Sequence, residues 1–411
     1  MASPARRSGY LLQKSTFPST AYIVLAAGFF VLFIGGGARF AIGLTLKPMV
    51  EEFGWERSQL GVAVAVFQIV SAFAMYAAGI LADRFSMRLV LGAGLVASGI
   101  AIGMMCLVSE PWHAVLLYGV LFALGNGVAS MAPVAVMVTR VFPGRTGLAN
   151  AVVSSGMSVG QLVMIAVLAA VLVTIGWRSV FIWIGVAYLV VLPLLLMAIP
   201  GRADAQARAS QAPQSGMSVS MASRTRQFWV LLSVYAVCGF GDFFVATHVV
   251  AFAQDRGISA LYAGNLLALM GATGLLGVLV AGFYSDRTGA VWPTAICFLA
   301  RAAVFALVLV DQSPVSVAVF ALVFGLTFLV TAPLTVVFVR ESFGTKHLGA
   351  LTGLITMVHH ICGGIGAYLG ASIFDTTQHY DNAFVLMLLT AALAAALTFA
   401  LRLPPTQPKL T

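Results

Sequence analysis

The chain of 411 residues is 61% hydrophobic and only 9% charged, with a mean hydropathy of +1.01. A water-exposed surface cannot be built from so few charges, so a soluble protein is excluded and an integral membrane protein is expected. The formal net charge of +9 then reads as loop charge facing an anionic leaflet, with the lipid bilayer as partner and no nucleic acid required.

Residues 1–20 read as a basic cytoplasmic N-terminal tail carrying Arg6, Arg7 and Lys14. The apolar run that follows is too long for the h-region of a signal peptide and is expected to be a retained first span. Stretches long enough to cross a ~30 Å hydrocarbon core, about 20 residues each at helical rise, can be drawn twelve times. They fall at about 21–46, 58–82, 88–108, 112–139, 146–174, 178–199, 227–252, 260–284, 291–310, 314–340, 347–373 and 383–402, with edges good to a few residues. The alternation of an outer-membrane barrel is missing, so the spans are helices. Residues 200–226 are small, polar and basic and read as a flexible cytoplasmic linker, and 403–411 as a cytoplasmic tail. The expected domains are one six-helix bundle over 21–199 and a second over 227–402.

Lys47, Arg57, Arg178 and Arg256 fall on one side of this arrangement and Arg39 and Arg301 inside spans, while every other Lys and Arg lies on the side of the termini. That asymmetry predicts both termini and the linker in the cytoplasm, with a bacterial cytoplasmic membrane as the expected location. Cys106, Cys238, Cys297 and Cys362 all sit within spans, where disulfides are not expected. No Walker loop and no zinc-protease motif occurs, so neither nucleotide-driven pumping nor membrane enzymology is expected, and neither cofactor nor metal is called for.

The chain repeats itself. Gly79-Ile-Leu-Ala-Asp83-Arg84 recurs 203 positions later as Gly282-Phe-Tyr-Ser-Asp286-Arg287, and Ala132-Pro133 with Arg140 recurs 200 positions later as Ala332-Pro333 with Arg340. Two unrelated signatures at nearly one offset indicate a tandem duplication of about 200 residues per half. Duplicated halves in a membrane flank a transport pathway.

Twelve spans in two six-span halves, with a G-x-x-x-D-R loop after the second and the eighth, resemble the major facilitator superfamily. The resemblance implies an all-α integral membrane fold: twelve transmembrane helices in two pseudo-symmetric halves around a central cavity. The first copy of the motif continues Phe85-Ser86-Met87-Arg88, losing the family's glycine and one base, while the second keeps Gly289 and loses the bases. The resemblance further implies a cytoplasmic conformational lock. Gly79 and Gly282 would permit close helix approach. Asp83 and Asp286, next to Arg84 and Arg287 of the motif, would accept from a facing helix N-terminus and pair with an Arg such as Arg140 or Arg340.

A finer resemblance, to the bacterial relatives of monocarboxylate porters that include oxalate:formate antiporters, rests on three segments. They are Leu46-Lys47-Pro48 through Gly54-Trp55, the run from Gly239-Phe240 to Phe243-Phe244-Val245 and His248, and Asp255-Arg256-Gly257. Monocarboxylate porters often carry an Arg four residues before the second motif glycine, and here that position is Val278. Another cation must hold a carboxylate.

An ionised side chain near the bilayer centre costs at least ~2.5 kcal/mol and persists only when paired or functional. Arg39, Asp242 and Arg301 qualify. Arg39-Phe40 and Asp242-Phe243 are 203 apart, in register with Glu52 and Asp255, Gly54 and Gly257, and Gly61 and Gly264. Arg39 and Asp242 are thus expected as symmetry mates across one cavity, the arginine binding a carboxylate and the aspartate carrying a coupling proton; the alternative is a static ion pair between them. Arg301 lies in a ninth span, peripheral in this fold, and reads as either a structural group or a site residue. His248 reads as a gate or proton relay, or as an interfacial histidine. His359 and His360, with Met357 and Cys362 nearby, invite a metal reading, but neighbouring helical residues diverge by about 100°, so one imidazole in the cavity is preferred. Gln68, Tyr118, Asn126 and Gln161 are further polar candidates for substrate or for helix contacts.

The expected function is a secondary active transporter of a small organic anion, a monocarboxylate above all, coupled to a proton, working by alternating access as a monomer. The alternatives are an exporter of lipophilic cations, a zwitterion carrier, or a transporter-like receptor that binds without translocation.

Overall fold

The computed structural model describes residues 19–141, 146–198, 216–344 and 347–401. Twelve of its helices are long and apolar enough to cross a membrane, and they divide six and six about the linker. The spans are Ala21–Phe53, Arg57–Met75, Met87–Leu107, Pro111–Val128, Val152–Ile175 and Trp177–Met197 in the first half, then Arg226–Asp255, Ala260–Ser285, Val291–Val310, Pro314–Phe343, Ala350–Thr377 and Asp381–Phe399 in the second.

Three spans depart from the straight helices expected. The first reaches Phe53 rather than residue 46 and is bent, one helix running Ser19–Ala38 and the next Ala41–Phe53. Arg39 and Phe40 form the bend, where the amide of Phe40 bonds back only three residues, to Gly37 O at 3.1 Å. The fourth and tenth are interrupted because each carries a proline soon after the interruption. Proline offers no N–H and its ring clashes with the carbonyl four residues back. Four before Pro133 is Ala129, where one helix ends at Val128 and the next begins at Met131. Four before Pro333 is Leu329, between helices Pro314–Phe328 and Thr331–Phe343. The fourth span also holds a π-helical stretch, Val115–Phe122.

Sequence repeat and spatial repeat coincide. Gly54 and Gly257, 203 apart, both take left-handed backbone (φ 67° and 80°) where the first and seventh spans end. Only a residue without Cβ does so at no steric cost. In the first half Gly36, Gly156 and Gly160 let the first and fifth spans touch backbone to backbone, and in the second Gly239 and Gly366 do so for the seventh and eleventh. Across the halves, Gly61 meets Ala371 and its mate Gly264 meets Ala169, joining second span to eleventh and eighth to fifth. Small residues at such crossings supply the close packing that holds helices together in lipid.

The linker is less free than expected at its end. Met217 N donates to Phe343 O at 2.8 Å, a short helix Val219–Ala222 follows, and Trp229 Nε1 donates to Ser223 O at 2.8 Å. Ala222 is buried in the core of the second half, with Met217 and Val219 packed against it. Residues 199–215 lie outside the described set.

The halves also cross at Gly43, where an added Cβ would stand 2.5 Å from Ala246 O and 3.3 Å from Thr247 Cα. Gly43→Val is therefore expected to destabilise by about 1–3 kcal/mol, the usual cost of overpacking. A lowered melting temperature in detergent, with Gly43→Ala intermediate, checks this.

Candidate functional site

The break in the tenth span weakens its backbone ladder: Thr327 O keeps only tight-turn donors, Val330 N at 3.4 Å and Leu329 N, and a poorly bonded carbonyl in lipid draws a further partner. Arg301, from the ninth span, supplies it. Its Nη2 donates to Thr327 O at 2.9 Å and its Nε to Thr327 Oγ1 at 3.0 Å. Tyr235 Oη donates to Thr331 O on the far side of the break at 2.7 Å. The same Arg301 guanidinium stands 2.7 Å from Asp242 Oδ1 and 3.4 Å from Cys238 Sγ, and Cys238 lies one helical turn before Asp242. Arg301 is 2% and Asp242 3% exposed, so the two charges neutralise each other where solvent does not.

This corrects the expected partnership. Asp242 is paired with Arg301 and not with its repeat mate Arg39, and Arg301 belongs to the centre of the structure. The physical reason is the broken tenth span, whose weakly bonded Thr327 carbonyl draws the arginine inward; the position 203 before Arg301 is Ser98, so the first half has no counterpart.

His359 completes the cluster. Its Nδ1 lies 3.2 Å from Tyr235 O and its Nε2 3.7 Å from Asp242 Oδ2. A carbonyl only accepts, so Nδ1 carries the hydrogen in the neutral ring and the bare Nε2 faces a carboxylate. Two acceptors facing each other form a place for one proton. Cys238, Asp242 and His359 offer donor atoms within 4.8 Å of one another, but Arg301 already balances the carboxylate and contacts the thiol, so the cluster needs no metal ion.

Arg39 is the contrasting case. It is half-buried at the bend of the first span, its Nε has no hydrogen-bond partner, and it forms no ion pair among the described residues. Its guanidinium carbon rests 4.6 Å from the centre of its neighbour Phe40, whose ring meets Phe328 at 5.9 Å. The bend thus adjoins the tenth-span break, and Arg39 shares a neighbourhood with the Asp242 cluster. Tyr118 Oη, from the π-helical stretch, accepts the task of the missing helical donor and donates to Arg39 O at 2.7 Å. Its hydroxyl hydrogen is spent on backbone rather than held for substrate.

Other expected site residues serve helix contacts. Gln161 Nε2 donates to Leu267 O across the halves at 3.1 Å, Tyr188 Oη donates to Asn126 Oδ1 at 3.4 Å, and His360 Nδ1 lies 2.9 Å from Thr356 O in its own helix. His248 is buried near the end of the seventh span against Tyr380 and Ala367 O, away from Asp242. Gln68 is 1% exposed and its Nε2 lacks a partner. Of the expected lock, Gly79, Asp83, Arg84, Arg140 and Asp286 fall outside the residues whose side chains are described. Among the described residues nothing lies within 4 Å of a Cβ at Gly282, and Arg340 is exposed. Arg287 is exposed as well and stacks 3.8 Å over Phe283.

The family model of the Major Facilitator Superfamily matches residues 28–274 and 231–411. The chain belongs to this superfamily. It is a membrane transporter of that type and not an enzyme. Relatives include the "Uncharacterized MFS-type transporter YcxA" of Bacillus subtilis, 27% identical over 83% of this chain and 87% of that protein. Monocarboxylate transporter 11 of Homo sapiens is 25% identical over 89% and 79%. The oxalate:formate antiporter of Oxalobacter formigenes is 25% identical over 92% and 90%. Among solved structures, a mutant of the nucleoside transporter NupG superposes with a TM-score of 0.78 at 13% identity, covering 93% of this chain and 99% of that one. A bacterial homologue of the human lysosomal transporter Spinster superposes equally well, TM-score 0.78 at 15% identity, covering 95% and 100%. These two likenesses carry the superfamily fold alone.

Removing one member of a buried pair strands the other and costs about 3–5 kcal/mol, whereas removing both is often neutral. Arg301→Met should therefore lower the melting temperature markedly, and Asp242→Asn introduced into the same protein should recover most of the loss. A thermal-melting double-mutant cycle measures the coupling; additive effects would show that the pair does not act as one unit.

Proposed function

We propose that this superfamily member is a proton-coupled secondary transporter of a small organic anion, a monocarboxylate, with Arg39 as the group that holds the carboxylate. One observation carries the reading: in a membrane interior where charge is costly, Arg39 forms no ion pair among the described residues, and Asp242, the anion whose charge reaches it, is already bound to Arg301. A substrate carboxylate supplies what is missing, and guanidinium matches it with two parallel hydrogen bonds. Phe40 and Phe328 give the same place an apolar wall, suited to a short carbon chain. The names of two relatives, an oxalate:formate antiporter and a monocarboxylate transporter, agree with this substrate class.

The alternative of a lipophilic-cation exporter needs a free carboxylate, and Asp242 is already held by Arg301. For the coupling proton, the facing pair of His359 Nε2 and Asp242 Oδ2 is the acceptor in this reading. The excess of Lys and Arg near the termini supports a reading with both termini in the cytoplasm of a bacterial cell. The end of the molecule remote from them, where Lys47 and Arg57 of the first half meet Asp255 of the second, is then the outer face. Among the described residues the ion pairs between halves lie at that end, which supports an arrangement sealed outside. Exchange of this seal for one on the other face is the alternating access of the superfamily.

Uptake of radiolabelled lactate, pyruvate and oxalate into proteoliposomes tests the substrate. Arg39→Ala should abolish uptake of the monocarboxylates, and Arg39→Lys should keep charge but lose most affinity, since ammonium cannot form the paired bonds. Unimpaired uptake by both folded variants would remove Arg39 from the site. Asp242→Asn should stop accumulation driven by a proton gradient while sparing exchange of labelled for unlabelled substrate, because exchange does not require the empty carrier to return.

A further inference from the structure

The sealed end holds a second set of charges that the transport site does not use. In the first half, Glu52 accepts from Trp177 Nε1 at 2.7 Å and pairs with Arg178 at 2.7 Å, fastening the end of the first span to the start of the sixth. The residues 203 further on are Asp255, Tyr380 and Asp381. With aspartate where the first half has Arg178, the second half has no cation of its own for Asp255. The cations come from the other half: Arg57 Nη2 lies 2.8 Å and Lys47 Nζ 2.8 Å from the Asp255 carboxylate. A fastening internal to one half has become, in its repeat, a latch between halves.

Arg57 is gripped on every side. Its Nη1 donates to Tyr380 Oη at 2.7 Å, its guanidinium stacks 3.6 Å over Phe374, and Asp375 accepts from the backbone amides of Arg57 and Ser58 at 2.9 and 2.8 Å. Behind Tyr380 stands His248, with Nε2 2.8 Å from Ala367 O and Nδ1 3.0 Å from Tyr380 Oη. The carbonyl can only accept, so Nε2–H donates to it. Nδ1 then accepts from Tyr380 O–H, and the tyrosine oxygen is left to accept from Arg57. The chain of bonds runs in one direction, Arg57 to Tyr380 to His248 to Ala367 O, and it is complete only while the imidazole is neutral.

We infer that His248 is a proton-binding site that releases this latch. A proton from water at that face, bound at Nδ1, makes the ring a donor on both nitrogens. Tyr380 must then turn its hydrogen away from Nδ1. Its oxygen then faces N–H from imidazolium and N–H from guanidinium, two cations on one atom, beside a ring packed against Phe244, Phe252, Phe374 and Phe384. The anions that face the group, Asp255 on its own span and Asp375 at the end of the eleventh, are engaged with Arg57, Lys47 and the amides, and Glu51 lies beyond Lys47 at 3.8 Å. Separating the halves here relieves the repulsion, leaves Arg57 and Asp255 to water, and opens the transport site to the face that supplied the proton. Acid therefore opens this end and base keeps it closed.

The test is a distance measurement between spin labels on azide-bearing residues placed at Leu107 and Val310, repeat mates at this end of the two halves, 70% and 88% exposed. The native cysteines stay in place. At about pH 8 one short distance is expected, and on acidification to about pH 4 a longer one should appear in the unmodified sequence. His248→Gln keeps a donor for Ala367 O and an acceptor for Tyr380 but cannot take a proton. It should lose the longer distance at acid pH, and Tyr380→Phe, which cuts the relay and leaves His248 in place, should lose it too. An unchanged distance in the parent protein overturns the inference. A longer distance that persists at acid pH in either variant does so as well, by assigning the response to Asp255 or Asp375. The result is independent of whether Arg39 binds an anion, since no substrate is present.

Discussion

Charge and backbone polarity inside a hydrocarbon core must be neutralised within the protein, and most of what distinguishes this molecule follows from how that is done at one place. Pro333 breaks the tenth span, the break leaves Thr327 O weakly bonded to the backbone, and Arg301 comes in to complete its bonding. Once there, a guanidinium in the interior demands an anion, which Asp242 provides. Asp242 is then no longer available to Arg39. That Arg39 makes no ion pair among the described residues, on which the proposed anion site rests, follows from a weakly bonded carbonyl in another helix.

The same logic explains why the two halves, alike in fold, are unlike in chemistry. The fourth span is broken by Pro133 as the tenth is by Pro333, but the third span offers Ser98 where the ninth offers Arg301. The first half therefore carries an uncompensated cation at its bend, and the second a charge-balanced cluster with room for a proton at His359. Duplication supplies two equal walls, and single substitutions leave one of them with an arginine outside any ion pair among the described residues and the other with a charge-balanced carboxylate.

At the far end, the repeat is broken again with a different result. Glu52 finds its cation inside its own half, and Asp255 finds it in the other. Arg57 is buried while Asp255 and Lys47 keep part of their side chains in water, so the latch lies at the edge of solvent. Around it, Phe374, Tyr380 and the capped start of the second span hold Arg57 in a geometry that exposed ion pairs rarely keep.

The amino-acid sequence by itself determined the membrane class, the twelve spans, the duplication and the presence of three buried charges, because hydropathy, repeat offset and the rarity of charge in lipid are local or one-dimensional properties. It also singled out Arg39, through its place in an apolar run. The pairing of those charges was decided by tertiary structure. Residues 203 apart are equivalent under the repeat, and equivalence does not imply contact; which anion Arg301 reaches depends on where a helix breaks and which carbonyl is left weakly bonded. Pro333 was visible as a helix breaker, yet nothing along the chain links residue 327 to 301 or to 242. His248, Tyr380 and Arg57 come from three spans, and Arg57 read as an ordinary loop charge. Their one-way chain of hydrogen bonds exists only because the halves close at that end, a fact of packing that no spacing encodes.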